Sequence, residues 1–154
     1  MDTIYYTLDD YDTDVFNIAD LVSESDFKVD VVVGVLRGGA IPGVHLSHLL
    51  DKPMQCFAFS TRDKKVVADD FKDLMDLFEN NKRVLFVDDI NDSGETFKQI
   101  LLYLTGQNVN RNMYRLASLV YNLNSDIQSD FYGMVIEKIN GSPWVRFWWE
   151  HDHA

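Results

Sequence analysis

The residues best equipped for chemistry lie in one stretch, Val84-Leu85-Phe86-Val87-Asp88-Asp89-Ile90-Asn91-Asp92-Ser93-Gly94-Glu95-Thr96-Phe97. Val84 to Val87 are continuously apolar, which suits a strand buried on both faces of a parallel sheet. Asp88 and Asp89 then stand at its carboxyl end, and in open α/β sheets ligands bind in the crevice beyond that edge. Residues Asp92 to Thr96 combine two hydroxyls, a glycine and successive backbone N–H groups at the mouth of a helix, a combination that holds phosphate. Asp, Ser and Gly are also common in plain solvated turns. Three acids crowded at one strand end repel one another, however, and become tolerable beside a cation or a polyhydroxyl ligand.

This stretch resembles the phosphoribosyl-pyrophosphate (PRPP) binding motif of type I phosphoribosyltransferases: several apolar residues, two acids, two variable residues, then Asp, Thr or Ser, Gly, any residue and Thr. Every defining position is met. The resemblance implies that Asp88 and Asp89 hold the ribose 2′- and 3′-hydroxyls, and that Asp92, Ser93, Gly94, Glu95 and Thr96 wrap the 5′-phosphate. It places Asp92 near the base as the acid/base group. It also implies Mg²⁺ as cofactor, held mainly by PRPP oxygens and water, with Asp88 and Asp89 reaching it directly or through water. Receiver domains that accept phosphate also pair aspartates at a strand end, but near the start of the domain; the 65 residues after Asp89 are too few for the rest of that fold.

A second strand, glycine turn and helix run from Val29-Val35 through Leu36-Arg37-Gly38-Gly39-Ala40-Ile41-Pro42-Gly43 to a helix carrying Val44, Leu46, His48, Leu49 and Leu50. Arg37 can fork onto phosphate oxygens, and the glycines let backbone approach a ligand. Glycine turns at strand ends are common, so this pattern alone is weak. It resembles the pyrophosphate loop of the same family, which implies that Arg37, Gly38 and Gly39 bind pyrophosphate and that the Arg37–Gly38 peptide is cis. His45 and His48 have the spacing of a metal pair. No third ligand is near in sequence, and packing or surface roles are expected.

Three tryptophans and a phenylalanine fall within the six residues Trp144 to Trp149. A strand sealing the core accounts for some of them. The segment also resembles the closing base-binding motif of xanthine, guanine and hypoxanthine phosphoribosyltransferases, which implies that Trp144 stacks on the base and the Val145 backbone meets its edge. Glu150 is then near the 2-position or structures the pocket, and Trp148 stands where proline is usual. Asn122 follows Tyr121 where relatives that use 6-oxopurines carry a lysine. Lysine only donates, whereas an asparagine amide donates or accepts, so a 6-oxo or a 6-amino base stays open.

The elements that must position these residues follow from periodicity. An amphipathic helix is expected from Leu8 to Ser25, opened by Thr7 with Asp10 and turning its acids to solvent. Met54 to Phe59 reads as a strand, Phe71 to Asn80 as a helix, and Ser60 to Asp70 as a polar loop whose Arg62, Lys64 and Lys65 would close over pyrophosphate. Glu95 to Thr105 continues the phosphate loop as a helix ended by Gly106. Met113–Tyr121 and Phe131–Ile136 supply further strands.

Residues 1–154 are expected to form one α/β domain, a mainly parallel sheet flanked by helices, with a small C-terminal hood from about residue 122 to 154. An apolar fraction of 46% supports a packed core. The net charge of −11, with no basic cluster, argues against a nucleic-acid partner. The single cysteine, Cys56, lies in an apolar run and is expected in the core; with no membrane-length stretch, a cytoplasmic protein is expected.

The function that the resemblance implies is transfer of ribose 5-phosphate from PRPP to a purine, with guanine, hypoxanthine or xanthine foremost, by a homodimer or homotetramer. Two other readings remain: a PRPP-binding regulator without turnover, and a transferase for adenine or a pyrimidine.

Overall fold

The buried apolar runs assemble edge to edge because each has a helix on either side to cover it. The computed structural model describes residues 2–59 and 68–150. In chain order its elements are β1 (Thr3–Tyr6), α1 (Leu8–Glu24), β2 (Val31–Leu36), α2 (Ala40–Leu50), β3 (Met54–Ala58), α3 (Ala68–Glu79), β4 (Val84–Asn91), α4 (Glu95–Gly106), β5 (Tyr114–Asn122), β6 (Phe131–Ile136) and β7 (Trp144–Phe147). Five strands form a parallel sheet in the order β3-β2-β4-β5-β6.

Alternate residues of the central strands feed two cores. Val32, Leu85, Ala117 and Leu119 pack with Val15 and Ile18 of α1 and Leu46 of α2. Val33, Phe86 and Leu116 pack on the other face with Leu74 of α3 and Ile100 of α4. Both faces are dry, which is why these strands read as unbroken apolar runs.

Helix α1 starts where its signals place it. Thr7 Oγ1 accepts from the Asp10 N–H (3.1 Å) and the Asp10 carboxylate accepts from the Thr7 N–H (2.9 Å), a complete capping box that contributes about 1 kcal/mol. Most acids of α1 face water as expected. Asp14 does not: its carboxylate accepts from the Tyr6 hydroxyl (2.8 Å), and burial raises its pKa.

One strand was not anticipated, and three local expectations are corrected. The N-terminal residues Thr3–Tyr6 form a strand, paired in parallel with β7 in a separate two-stranded sheet; four residues are too few to show a period. Cys56 is exposed, because β3 is an edge strand with one uncovered face. Gly106 is the last residue of α4, and Gln107 closes the helix by donating its N–H to Tyr103 and Leu104 carbonyls. Helix α3 begins at Ala68 rather than Phe71. The proposed lid residues Arg62, Lys64 and Lys65 lie outside the described residues.

The strand order locates the site. From β2 the chain turns one way to β3, while β4, β5 and β6 extend the other way, so the switch point lies between β2 and β4. Strand β2 pairs with β4 only through Val87, whereas β5 follows β4 to Asn91. From Asp88 onward the β2-facing edge of β4 opens onto a crevice, where open α/β sheets bind ligands.

Candidate active site

Two loops flank the switch point, one after β2 and one after β4, and both lead into helices that start at glycine. Helix α4 has Gly94 as its N-cap at φ 89°, and α2 has Gly39; neither glycine offers a side-chain cap, although the Glu95 N–H at the start of α4 donates to Ser93 Oγ (3.2 Å). The first-turn N–H groups of a helix have no intrahelical partners, and their field favours an anion. Helix α1, which begins away from the crevice, is fully capped. The left-handed conformation at Gly94 explains the glycine there. A Cβ at that position would also strike the Ser125 hydroxyl at 2.6 Å and the Ile127 N–H at 2.9 Å.

Asp88, Asp89, Asp92, Ser93, Gly94, Glu95 and Thr96 line one pocket of about 220 Å³. The acidic pair is ordered by backbone: the Asp89 N–H donates to Asp88 Oδ1 (2.8 Å) and the Ile90 N–H to Asp89 Oδ1 (2.7 Å). Burial, reinforced by the neighbouring Asp89, lifts the Asp88 pKa well above the usual carboxylate range. Burial raises Asp89 as well, and the charge of Glu150 adds to it. Such a pair gains from hydroxyl donors or a cation. The hard oxygen donors of Asp88 and Asp89 suit Mg²⁺, but among the described residues no group of three or more potential ligands converges. They can supply only part of a cation's shell.

The loop is braced from below by residues the sequence did not single out. Asn91 is 2% exposed, donates to the Ile127 carbonyl (2.7 Å) and Ser129 Oγ (3.1 Å), and accepts from Ser125 Oγ (2.7 Å). The Asp126 N–H donates to the Ser93 carbonyl (3.1 Å). The segment after β5 thus fixes the height of the phosphate loop.

A larger crevice of about 840 Å³ opens beside it, lined by Arg37, Gly38, Asp89, Trp144 and Glu150 together with Thr3, Tyr5 and Trp149. Gly38 leaves room for the Asp89 carboxylate, which a Cβ would overlap, and a Cβ at Gly39 would collide with backbone of Val35 and Val87. The cis peptide precedes Arg37: it joins Leu36 to Arg37, one bond earlier than expected.

Strand β7 presents the other wall. The Trp144 N–H donates to the Asp2 carbonyl (2.8 Å), so the next peptide, carrying the Val145 N–H, turns to the opposite edge. Two residues on, along that edge, the Phe147 N–H donates to Glu150 Oε2 (3.0 Å). Glu150 therefore structures the pocket edge. The Val145 side chain is buried in the core, while the Trp144 indole is 53% exposed. Trp149, whose ring stacks on Phe147 at 4.8 Å, is a wall residue obscured in the sequence by its aromatic neighbours.

Asn122 does not reach the open crevice with a free amide. Its Nδ2 donates to the Asp92 carbonyl (3.0 Å) and Oδ1 (3.3 Å), and its Oδ1 accepts from the Asn124 and Lys138 N–H groups. A lysine is nevertheless present: Lys138 Nζ lies 2.7 Å from Asp92 Oδ2 and 5.0 Å from the Trp144 ring centroid. No motif spacing from Asn122 leads to it, because it arrives from the far end of β6. The histidine pair is separated in role: His45 Nδ1 is 3.1 Å from the Tyr11 hydroxyl and its ring packs on Phe16.

The model of the phosphoribosyl transferase domain matches residues 11–154. The chain belongs to this family. It is a phosphoribosyltransferase of the type I fold, as its motifs indicated. Among solved structures, a purine phosphoribosyltransferase from Pyrococcus horikoshii is 29% identical with a TM-score of 0.76, covering 100% of this chain and 98% of that one. The xanthine-guanine-hypoxanthine phosphoribosyltransferase of Helicobacter pylori is 19% identical, TM-score 0.70, with coverages of 96% and 91%. A Neisseria gonorrhoeae protein solved with bound ppGpp is 21% identical, TM-score 0.74, with coverages of 97% and 90%. The last two show the fold alone. Among curated proteins, sequence comparison finds no significant match. No helix among the described residues is long and apolar enough to cross a membrane.

Proposed function

We propose that this phosphoribosyltransferase joins a purine base, with guanine, hypoxanthine or xanthine foremost, to PRPP, giving a nucleoside 5′-monophosphate and pyrophosphate. One observation carries the reading: the acidic pair and the phosphate loop line one pocket, the Arg37 loop and the Trp144 wall line a second, and Asp89 borders both at the switch point. The 29% identity to a purine enzyme along its full length supports the choice of base class.

The roles follow from position. The N–H groups and hydroxyls from Asp92 to Thr96 take the 5′-phosphate. Asp88 and Asp89 accept from the ribose hydroxyls, and Arg37 with the Gly38–Gly39 backbone meets the pyrophosphate. Positive charge grows on the ribose as the bond to pyrophosphate breaks, and the nearby carboxylates favour that charge. Asp88 and Asp89 would hold part of the shell of a Mg²⁺ ion, which would supply positive charge for the leaving pyrophosphate. Trp144 offers the base a ring face, and Asp92 takes the proton of the attacking ring nitrogen. Alignment of two bound substrates supplies much of the rate. Of the part of the chain expected as a hood, β6 belongs to the main sheet, and the described residues beyond it, with β7 and its partner β1, act as the hood over the base. A homodimer or homotetramer is the proposed assembly, supported by the exposed Phe16, Val44 and Trp148.

The test is pyrophosphate release from PRPP and Mg²⁺ with guanine, hypoxanthine, xanthine, adenine, uracil and orotate supplied in turn. Turnover with a purine is expected. PRPP binding without turnover on any base would turn the reading to a sensor.

A further inference from the structure

We propose that Tyr6 and Asp14 are positioning residues for the base: their hydrogen bond fixes the hood sheet, and with it the Trp144 wall, over the crevice. The inference rests on the transferase reading above and names what sets the geometry of its base end.

Among the described residues, no ladder of backbone hydrogen bonds joins β1 or β7 to the main sheet. Two paired strands alone are marginal in water, so the hood sheet takes its place from what lies beneath it. Its side chains alternate. Thr3, Tyr5 and Trp144 line the crevice, while Tyr6, Val145 and Phe147 turn into the core that holds Val15 and Ile18 of α1. Apolar burial presses the sheet onto α1 but has no direction, and by itself it leaves the sheet free to slide.

One polar contact interrupts that apolar layer. Tyr6 is 1% exposed, and its hydroxyl donates to Asp14 Oδ2 at 2.8 Å. Asp14 is itself wedged against β6, since a Cβ at Gly133 would come within 2.4 Å of its Cγ. Helix α1, the edge of the main sheet and the hood thus meet at one carboxylate. Three residues before it on the same face of α1 stands Tyr11, whose ring meets that of the crevice residue Trp149 at 6.0 Å. For stability alone, phenylalanine over an apolar residue would serve as well, because the bond between a buried hydroxyl and a carboxylate mainly offsets their desolvation. What the polar pair adds is direction, since a hydrogen bond weakens steeply with angle. It locks Tyr6 on α1. The constraint then passes to β7 through the edge-on contact of the Tyr6 and Phe147 rings at 5.1 Å and along the ladder from Tyr6–Phe147 to Thr3–Trp144.

The measurement is steady-state kinetics of the full chain with PRPP and its preferred purine. Tyr6→Phe keeps the ring and loses the hydroxyl; it should raise the KM for the base about fivefold, on the scale of one hydrogen bond, and leave the KM for PRPP within about twofold. Asp14→Ala should do the same, and the two substitutions together should cost no more than either alone, because both break one contact. Asp14→Asn keeps an acceptor for Tyr6 and should stay within about twofold of wild type. If Asp14→Ala fails to fold, Tyr6→Phe and Asp14→Asn decide. A lower unfolding midpoint with both KM values unchanged, equal rises in the two KM values, or an Asp14→Asn variant as impaired as Tyr6→Phe would overturn the inference while leaving the transferase intact. Absence of turnover with any purine in wild type would remove the transferase reading and this inference together.

Discussion

The two ends of the crevice are built in different ways. At the phosphate end, ten consecutive residues, Asp88 to Phe97, supply the pocket, and their function is local: a strand edge, a left-handed glycine and a helix start. At the base end, the lining comes from β1, the loop after β2, Asp89 and β7 with its tail, and Lys138 beyond β6 lies over the Trp144 ring. Phosphate is recognised by backbone, which any suitable turn presents. A base is recognised by a few side chains whose spacing is set by the tertiary fold. The first kind of site is contiguous in sequence and the second is scattered.

The largest test of this contrast is Asp92, where the two ends meet. Asp92→Asn should lower kcat by about 10² to 10⁴ while PRPP still binds, because the change removes a proton acceptor but not the backbone cradle. Steady-state kinetics with a PRPP titration checks both halves; an unchanged kcat would remove Asp92 from the chemistry. Next is Asn91, which braces the phosphate end from beneath. Asn91→Ala leaves buried polar partners unsatisfied and should cost about 1–3 kcal/mol in urea unfolding, with weaker PRPP binding. A smaller effect is expected from Trp144→Ala, which should raise the KM for the base about tenfold and leave the KM for PRPP within about twofold.

The smallest concerns the scaffold beneath β1. Burial raises the Asp14 pKa above its ordinary 3.8, so the folded state favours the protonated carboxyl, whose contribution is complete below that value and is lost as pH rises through the folded-state value. Asp14→Asn does not titrate, and its carbonyl can still accept from Tyr6. Relative to wild type it should therefore be more stable at pH 7 than at pH 3.5, by less than about 1 kcal/mol since part of the carboxylate keeps contact with water. Urea unfolding at both pH values checks the sign.

The same contrast explains what the sequence disclosed. Val84–Thr96 showed its strand, its acids and its loop because each signal is a matter of neighbours in the chain. The apolar runs that fill the sheet and the Thr7–Asp10 cap were legible for the same reason. Lys138 was not, since nothing in Glu137-Lys138-Ile139 indicates that β6 ends beside Asp92. Asn122 was noticed as a departure, but its partners are visible only in three dimensions. Strand β1 was hidden because its stability comes from β7, 141 residues away along the register Thr3 to Trp144 through Tyr6 to Phe147; four residues carry little signal alone. Cys56 was misplaced because an apolar run does not reveal which strand lies at a sheet edge.

The most direct test crosses the two ends in one experiment: KM for PRPP and KM for the preferred base, each measured in wild type, Thr96→Ala and Trp144→Ala. Thr96→Ala should raise only the KM for PRPP, and Trp144→Ala only that for the base. If either substitution moved both constants together, or if each moved the wrong one, the division of the crevice into a phosphate end and a base end would be contradicted.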